Sequence, residues 1–128
     1  MKTIILIHII SVPFLVSCEG FSASDEIQEF IPGIYVRSTV NEFGTAHDTL
    51  IITLQHKEAN QYKIINKWKY ERVIEGEIIE PEYKLKTTSG IYNSDNKVLQ
   101  ETETLDLFTF DVKKKLLFNG ANQYAKIK

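Results

Sequence analysis

The sequence predicts an all-β fold in which about eight antiparallel strands follow one another as an up-and-down meander. From Phe30 onward, short segments alternate apolar and polar residues, which is typical of strands packed against a single core. Turn-forming residues separate these segments at short, regular intervals. No stretch of about 10 to 12 residues carries a helical apolar stripe with caps, so a crossover helix has no candidate.

Most of the predicted strands combine this alternation with β-branched or aromatic residues, which favour strands. In chain order they cover residues 33–40, 49–55, 62–74, 82–92, 98–103, 107–112, 116–118 and 124–127. Either a closed barrel or a two-sheet sandwich satisfies this pattern. We favour a small barrel because closure removes the exposed sheet edges that invite aggregation.

Turns and loops are predicted where Gly, Asn or charged residues interrupt the alternation. A loop is expected over residues 41–47. Glu75-Gly76 and Asn119-Gly120 predict tight hairpin turns. The polar cluster 93–97 predicts a turn closed by local hydrogen bonds, and the three lysines at 113–115 predict a charged turn.

The two longest predicted strands, 62–74 and 82–92, divide their side chains between two faces. Asn66, Trp68 and Tyr70 share the face that we expect to point into the barrel, which makes them the candidate ligand contacts. An eight-stranded barrel is only just wide enough for side chains or one small ligand. The number of bulky aromatic residues therefore favours a filled core over a roomy cavity.

Lysines are expected on the outward face of these two strands if the strands pair around the turn at 75–76. The lysines concerned are Lys63, Lys67, Lys69, Lys84 and Lys86, while Thr87 is expected to face inward. Such a stripe is either a solvated face that discourages edge pairing or a surface for anionic head groups or an acidic partner.

The first 17 residues are typical of a secretory signal peptide, which does not belong to the folded domain. Lys2 supplies the positive charge, and the apolar run after it is shorter than the ~20 residues that span a bilayer. Its end, Leu15-Val16-Ser17-Cys18, resembles the lipobox of bacterial lipoproteins. The resemblance implies that Cys18 is the lipidated N-terminus of the mature protein. The alternatives are an ordinary signal peptide followed by a chance cysteine, and a buried N-terminal helix of a cytosolic protein.

The composition limits the remaining possibilities. Cys18 is the only cysteine, so intrachain disulfides and multi-thiolate metal sites are excluded. The chain has 15 basic and 17 acidic residues, a near-neutral balance that argues against a nucleic-acid partner. We expect the lipidated cysteine and a flexible tether over residues 18–29, where small, polar and acidic residues dominate, and one β-barrel domain over 30–128.

Three stretches of the domain resemble the small lipoproteins with lipocalin-like domains that are common in the Bacteroidota. They are FIPGIYV at 30–36, the strand that begins at Asp48, and LFNGANQY at 117–124. The resemblance implies a small lipocalin-like barrel and a location in the cell envelope, and it implies no established activity. Tyr35 replaces the tryptophan of the Gly-X-Trp motif of larger lipocalins, so a roomy ligand cup is not expected.

Catalysis and metal binding have weak candidates. His47 and Asp48 are adjacent and therefore point to opposite sides of an extended chain, although Ser38 and Ser89 are available as nucleophiles. His47 and His56 lack the spacing that places two metal ligands on one face. We expect no catalytic residue, no metal and no cofactor.

The sequence therefore predicts a non-enzymatic protein, anchored by lipid to a bacterial membrane outside the cytoplasm. We favour the outer membrane as its location. The expected role is a binding or interaction module with an envelope protein as partner. The alternative is a lipocalin-like carrier or sensor that takes a small apolar ligand near Trp68.

Overall fold

The computed structural model describes residues 25–128. The predicted signal peptide (1–17), the lipidation site Cys18 and residues 19–24 of the predicted tether lie outside the described residues. Within the described part of the chain, no helix is long and apolar enough to span a membrane.

One short helix precedes nine strands in the described part of the chain. The helix, α1, spans Glu26–Phe30, and the strands are β1 (Gly33–Asn41), β2 (Gly44–His56), β3 (Gln61–Ile74), β4 (Glu77–Ile78), β5 (Glu82–Asn93), β6 (Val98–Glu101), β7 (Leu107–Asp111), β8 (Leu116–Asn119) and β9 (Asn122–Lys126).

The strands form one antiparallel sheet that closes on itself. Around the barrel the order is β1, β2, β3, β5, β6, β7, β8 and β9, and β9 pairs again with β1. β4 stands outside this ring, since its two residues pair only with the end of β3. The closed eight-stranded meander confirms the predicted fold class, and it is consistent with the lipocalin-like barrel that the resemblance implies.

The loop predicted between the first two strands is wrong, because the chain forms a tight hairpin there. β1 continues to Asn41 and β2 begins at Gly44, so only Glu42 and Phe43 connect them. The Asn41 side chain accepts a hydrogen bond from the Phe43 N–H at 2.9 Å. Gly44 is required for close packing, since a Cβ at this position would lie 2.1 Å from the carbonyl oxygen of Glu71.

The other predicted turns are confirmed. Glu75 and Gly76, with φ of 52° and 78°, connect β3 to β4. Gly120, with φ of 59°, lies in the turn between β8 and β9. The Asn93 side chain accepts a backbone hydrogen bond in the turn before β6, and the lysines at 113–115 lie in the turn before β8.

A packed core fills the half of the barrel next to α1. Its buried side chains come from all eight strands of the barrel and from the residue after α1: Ile31, Tyr35, Leu50, Ile52, Tyr62, Ile64, Tyr92, Leu99, Phe108, Leu117 and Tyr124. The prediction of a filled core is therefore confirmed for this half.

Helix α1 closes one end of the barrel, although all of its residues except Phe30 lie within the segment 18–29 predicted as a tether. Asp25 caps the helix by accepting a hydrogen bond from the Ile27 N–H at 3.0 Å. The second oxygen of the same carboxylate accepts a hydrogen bond from the buried Tyr92 hydroxyl at 2.5 Å. One side chain thus fixes both the start of the helix and its position on the core.

Two further tyrosines hold α1 against the barrel. The Tyr35 hydroxyl lies 2.8 Å from the carbonyl oxygen of Ile31 and 3.0 Å from that of Phe30. The Tyr62 hydroxyl lies 3.4 Å from the carbonyl oxygen of Gln28. These carbonyls belong to the end of a helix, where no intrahelical donor reaches them. We call this side of the barrel the closed end.

Candidate binding site at the open end

The strands have unequal lengths, and this difference opens the barrel opposite α1. β2, β3 and β5 contain 13, 14 and 12 residues, whereas β6 to β9 contain four or five each. β6 reaches only residues 90–93 of β5, and β9 pairs with β1 at Tyr35 and Val36. Beyond these pairs, β1, β2, β3 and β5 continue as a wall above the short strands. We call it the long wall, and we call this side of the barrel the open end.

A cavity of about 420 Å³ lies at the foot of the long wall. Its floor is the upper layer of the core, formed by Leu50, Ile64, Phe108 and Tyr124. Its sides are polar and carry charges of both signs: Asp48, Asn66, Trp68, Lys84, Lys86, Thr88, Glu101, Thr104, Asp106 and Asn119. The site can therefore receive a small molecule with an apolar part below and polar groups above.

The predicted ligand contacts share one face of β3. Asn66 and Trp68 line the cavity. Tyr70 stacks on Trp68 above it, with ring centroids 5.5 Å apart and an interplanar angle of 14°. Whether these three side chains contact a ligand remains a prediction.

The predicted orientation of Lys84 and Lys86 is wrong. Lys84 pairs with Trp68 across the two strands and Lys86 pairs with Asn66. Because directly opposed residues share a face of the sheet, both lysines lie on the inner face. Thr87 pairs with Ile65 on the outer face, so its predicted inward position is also wrong.

A one-residue change of register explains this error. The turn at Glu75-Gly76 alone would continue the pairing so that Trp68 meets Tyr83, but β5 pairs Trp68 with Lys84. The additional residue lies in the connection between β4 and β5, which contains Pro81. A slip of one residue turns every side chain of a strand to the opposite face.

Cations flank the aromatic stack on the inner face. Lys84 Nζ lies 5.0 Å from the Trp68 ring centroid, and Arg72 Cζ lies 5.7 Å from that of Tyr70. Arg72 also forms an ion pair with Glu82 at 3.1 Å. The attraction between each cation and the face of the neighbouring ring stabilises the positions of Trp68 and Tyr70 on the long wall.

Tyr124 and Asp48 connect the core to the cavity. The Tyr124 hydroxyl donates to Asp48 Oδ2 at 3.3 Å. Burial, together with the negative charge of Asp48, raises the pKa of Tyr124 to about 12, although Arg37 opposes this shift. The hydroxyl therefore keeps its proton, and with it the hydrogen bond to Asp48, well above neutral pH.

The candidate catalytic and metal-binding residues are only partly brought together. Ser38 and His47 form a 3.0 Å hydrogen bond on the exposed outer face. Asp48 lies on the inner face, as its adjacency to His47 predicts. His56 ends β2 at the other side of the barrel. Among residues 25–128, no group of three or more His, Cys, Asp or Glu side chains could hold a metal ion.

The sequence pattern did not reveal an exposed apolar surface at the top of the long wall, which we call the tip. It consists of Val40, Phe43, Val73, Ile74, Ile78 and Ile79. The side chain of Phe43 is 66 % exposed and that of Ile78 is 75 % exposed. The signal was present as apolar residues beside the hairpin turns, where polar residues are expected.

The two hairpins that form the tip are joined directly. The Val73 N–H donates to the carbonyl oxygen of Phe43 at 3.0 Å. Acidic residues accompany the apolar ones on these hairpins and on the connection to β5: Glu42, Glu75, Glu77 and Glu80. The tip therefore combines exposed apolar side chains with glutamates from the same hairpins and connection.

Comparison of the chain with protein-family models, with curated proteins and with solved structures finds no match.

Proposed function

We propose that the protein is a non-enzymatic binding module, anchored by lipid at Cys18 to the bacterial cell envelope, whose contact surface is the open end. The observation that carries this proposal is the asymmetry of the barrel. Three barrel tyrosines hold α1 over one end with their hydroxyls, and a broad groove of about 1350 Å³ lies beside the helix, whereas the opposite end displays the exposed tip and the smaller cavity of about 420 Å³.

The first described residue, Asp25, lies at the closed end of the barrel, opposite the proposed contact surface. Asp25, where α1 begins, follows Cys18 by seven residues. A chain of that length spans at most about 24 Å. An anchor at Cys18 would hold the closed end near the membrane and direct the tip away from it, with the outer membrane as the favoured location.

The proposed partner is an envelope protein with an apolar surface surrounded by Lys and Arg. Exposed apolar surfaces of this kind mark sites of protein association. Glu42, Glu75, Glu77 and Glu80 lie on the same hairpins and connection as the apolar side chains of the tip, so a basic rim on the partner would complement their charge.

The experiment that tests this proposal is site-specific photo-crosslinking in cells. A photoreactive amino acid replaces Phe43 at the tip or, as a control, Lys114 at the closed end. We expect a discrete crosslinked protein from position 43 and none from position 114. Glu75→Lys with Glu77→Lys should remove the crosslink, whereas Asp95→Lys with Asp111→Lys, the same charge change at the closed end, should retain it. Equal crosslinking from both positions, or none from either, would reject the tip as the contact surface.

A second function is supported by the cavity. Its apolar floor and polar sides suit a carrier or sensor of a small amphipathic molecule, and Trp68 lines it. Native mass spectrometry of the gently purified protein should then reveal an additional mass that denaturation releases. Since Trp68 is the only tryptophan, its fluorescence should change when that mass is lost. A clean apo mass would leave the interaction module as the remaining proposal.

A further inference from the structure

The upper part of β5 is an open sheet edge. Residues 82–89 pair with β3 on one side, and β6 begins to pair with β5 only at Gly90. On the open side, the Thr102 N–H donates to the carbonyl oxygen of Ser89 at 2.9 Å. Among the described residues, no further backbone hydrogen bond reaches residues 82–88 from that side.

The direction of the free backbone groups follows from the bond at Ser89. Backbone groups of alternate residues in a strand point to the same edge. The N–H and C=O groups of Tyr83, Leu85 and Thr87 therefore point away from β3, as those of Ser89 do. This edge is about 23 Å long at about 3.3 Å per residue, enough to pair with one additional strand.

The side chains along this edge differ between its two faces. Tyr83 and Leu85 project from the outer face and are 70 % and 69 % exposed. Lys84 and Lys86 project from the inner face. Lys86 reaches Glu103 only at 3.8 Å, and both of those side chains are more than half exposed. A strand added here would therefore meet apolar side chains on one face and two cations on the other.

We infer that the upper edge of β5 is a site of strand addition for an extended segment of a partner protein that alternates acidic and apolar residues. Backbone hydrogen bonds to Tyr83, Leu85 and Thr87 would supply affinity, and acidic side chains opposite Lys84 and Lys86 would supply specificity. The added strand would lengthen the short side of the barrel and cover the flank of the cavity beside Trp68.

A second copy of this chain fits the edge less well. Antiparallel self-pairing centred on Leu85 would place Lys84 of each copy opposite Lys86 of the other. Like charges directly opposed on neighbouring strands are destabilising, and inward-pointing charges are a known protection of edge strands. The lysines thus select against self-pairing and in favour of an acidic segment.

This inference rests on the proposed role as a binding module, although it depends on neither the tip nor the anchor. The test uses the purified protein and a capped, fluorescently labelled nine-residue peptide that alternates glutamate and valine. We expect saturable binding by fluorescence anisotropy, and at least about tenfold weaker binding of a peptide with lysine in place of glutamate. A peptide of the same composition without alternation should bind equally weakly.

Matched variants separate this edge from a general charge effect. Lys84→Glu with Lys86→Glu should reverse the preference between the two peptides. Lys113→Glu with Lys114→Glu, the same charge change at the closed end, should leave it unaltered. Leu85→Pro removes an N–H that points away from β3, so it should abolish binding while the β3–β5 pairing persists.

Hydrogen exchange on the unmodified protein supplies an independent readout. The peptide should protect the amides of Tyr83, Leu85 and Thr87. Protection elsewhere, equal effects of the two charge-reversal pairs, or no binding at millimolar peptide would overturn the inference. Protection of the same amides without peptide, rising with protein concentration, would also overturn it and assign the edge to a second copy. None of these outcomes alters the crosslinking test at the tip, so the two proposals can fail separately.

Discussion

Buried tyrosines form hydrogen bonds at both ends of this barrel. Tyr35 and Tyr92 contact α1 at the closed end, and Tyr124 meets Asp48 at the floor of the cavity. Each tyrosine carries its hydroxyl at the end of a large apolar ring, so the ring can bury apolar surface while the hydroxyl forms a hydrogen bond with a polar partner. One type of residue thus both fills the core and forms the hydrogen bonds at its polar edges.

Alkaline pH should destabilise the protein through these hydroxyls. Burial raises the pKa of Tyr35, Tyr92 and Tyr124, that of Tyr124 to about 12. A tyrosine in the unfolded chain ionises near pH ~10, so the folded state retains the proton longer. The resulting stabilisation is complete below about pH 10 and is lost as the pH rises toward the folded pKa. The loss is at most about 1.4 kcal/mol per pH unit for each tyrosine.

Urea unfolding between pH 8 and about pH 11.5 measures this dependence. In Tyr124→Phe the unfolding free energy should decline less steeply above pH ~10, because this variant lacks one of the groups that release a proton on unfolding at high pH. Tyr83→Phe removes an exposed hydroxyl and is the matched control. An identical slope in the wild type and in Tyr124→Phe would contradict the role assigned to this hydroxyl.

Among the elements, α1 contains only five residues, yet it closes one end of the barrel. It covers the base of the core and is held there by hydrogen bonds to barrel side chains and by the packing of its partly buried Ile27 and Phe30 against the core. A helix this short is not stable by itself in water. Its conformation therefore depends on the barrel that it closes.

Asp25→Ala should lower the unfolding free energy by about 2 kcal/mol. The change removes the cap on the Ile27 N–H and leaves the buried Tyr92 hydroxyl without its acceptor. Asp25→Asn keeps an acceptor and should cost less than half as much. Asp95→Ala, in an exposed turn, is the control. Urea denaturation measures the unfolding free energies of the three variants, and equal stability of Asp25→Ala and Asp95→Ala would contradict this prediction.

The elements also indicate how far the sequence specifies this fold. Period-two alternation predicted all eight barrel strands, and Glu75-Gly76 and Asn119-Gly120 predicted their turns, because these signals are local. The inward orientation of Lys84 and Lys86 was not predictable, because it depends on one additional residue in the connection through Pro81. Glu101, Asp106 and Asn119 join Trp68 at the cavity only because the barrel closes, which no local pattern records.

At the scale of the whole molecule, the two ends have different chemistry. At the closed end, tyrosine hydroxyls of the barrel donate to α1 and its flanking residues, whereas the open end exposes an apolar tip with several glutamates above an inner face that carries Asp48, Lys84 and Lys86. A partner that matches both regions would approach in one orientation.

The proposed anchor predicts that Cys18→Ala changes the location of the entire protein. The wild type should fractionate with membranes and incorporate labelled palmitate. The variant should incorporate none and leave the membrane fraction, because a lipid chain contributes about 0.8 kcal/mol per buried CH₂. Ser17→Ala, which keeps a small residue before Cys18, is the control. Membrane association of Cys18→Ala equal to that of the wild type would reject the anchor.

The position of α1 also determines how the molecule bears mechanical load. A pull on the N-terminus reaches α1 first and then passes through Ile31 and Pro32 into β1. Against resistance at the tip, this tension runs along β1, whose nine residues all pair with β2. The backbone hydrogen bonds between β1 and β2 are perpendicular to the direction of the pull, so they are loaded together in shear. Under tension α1 should detach before any strand does, which would lengthen the connection to the proposed anchor while the barrel stays folded.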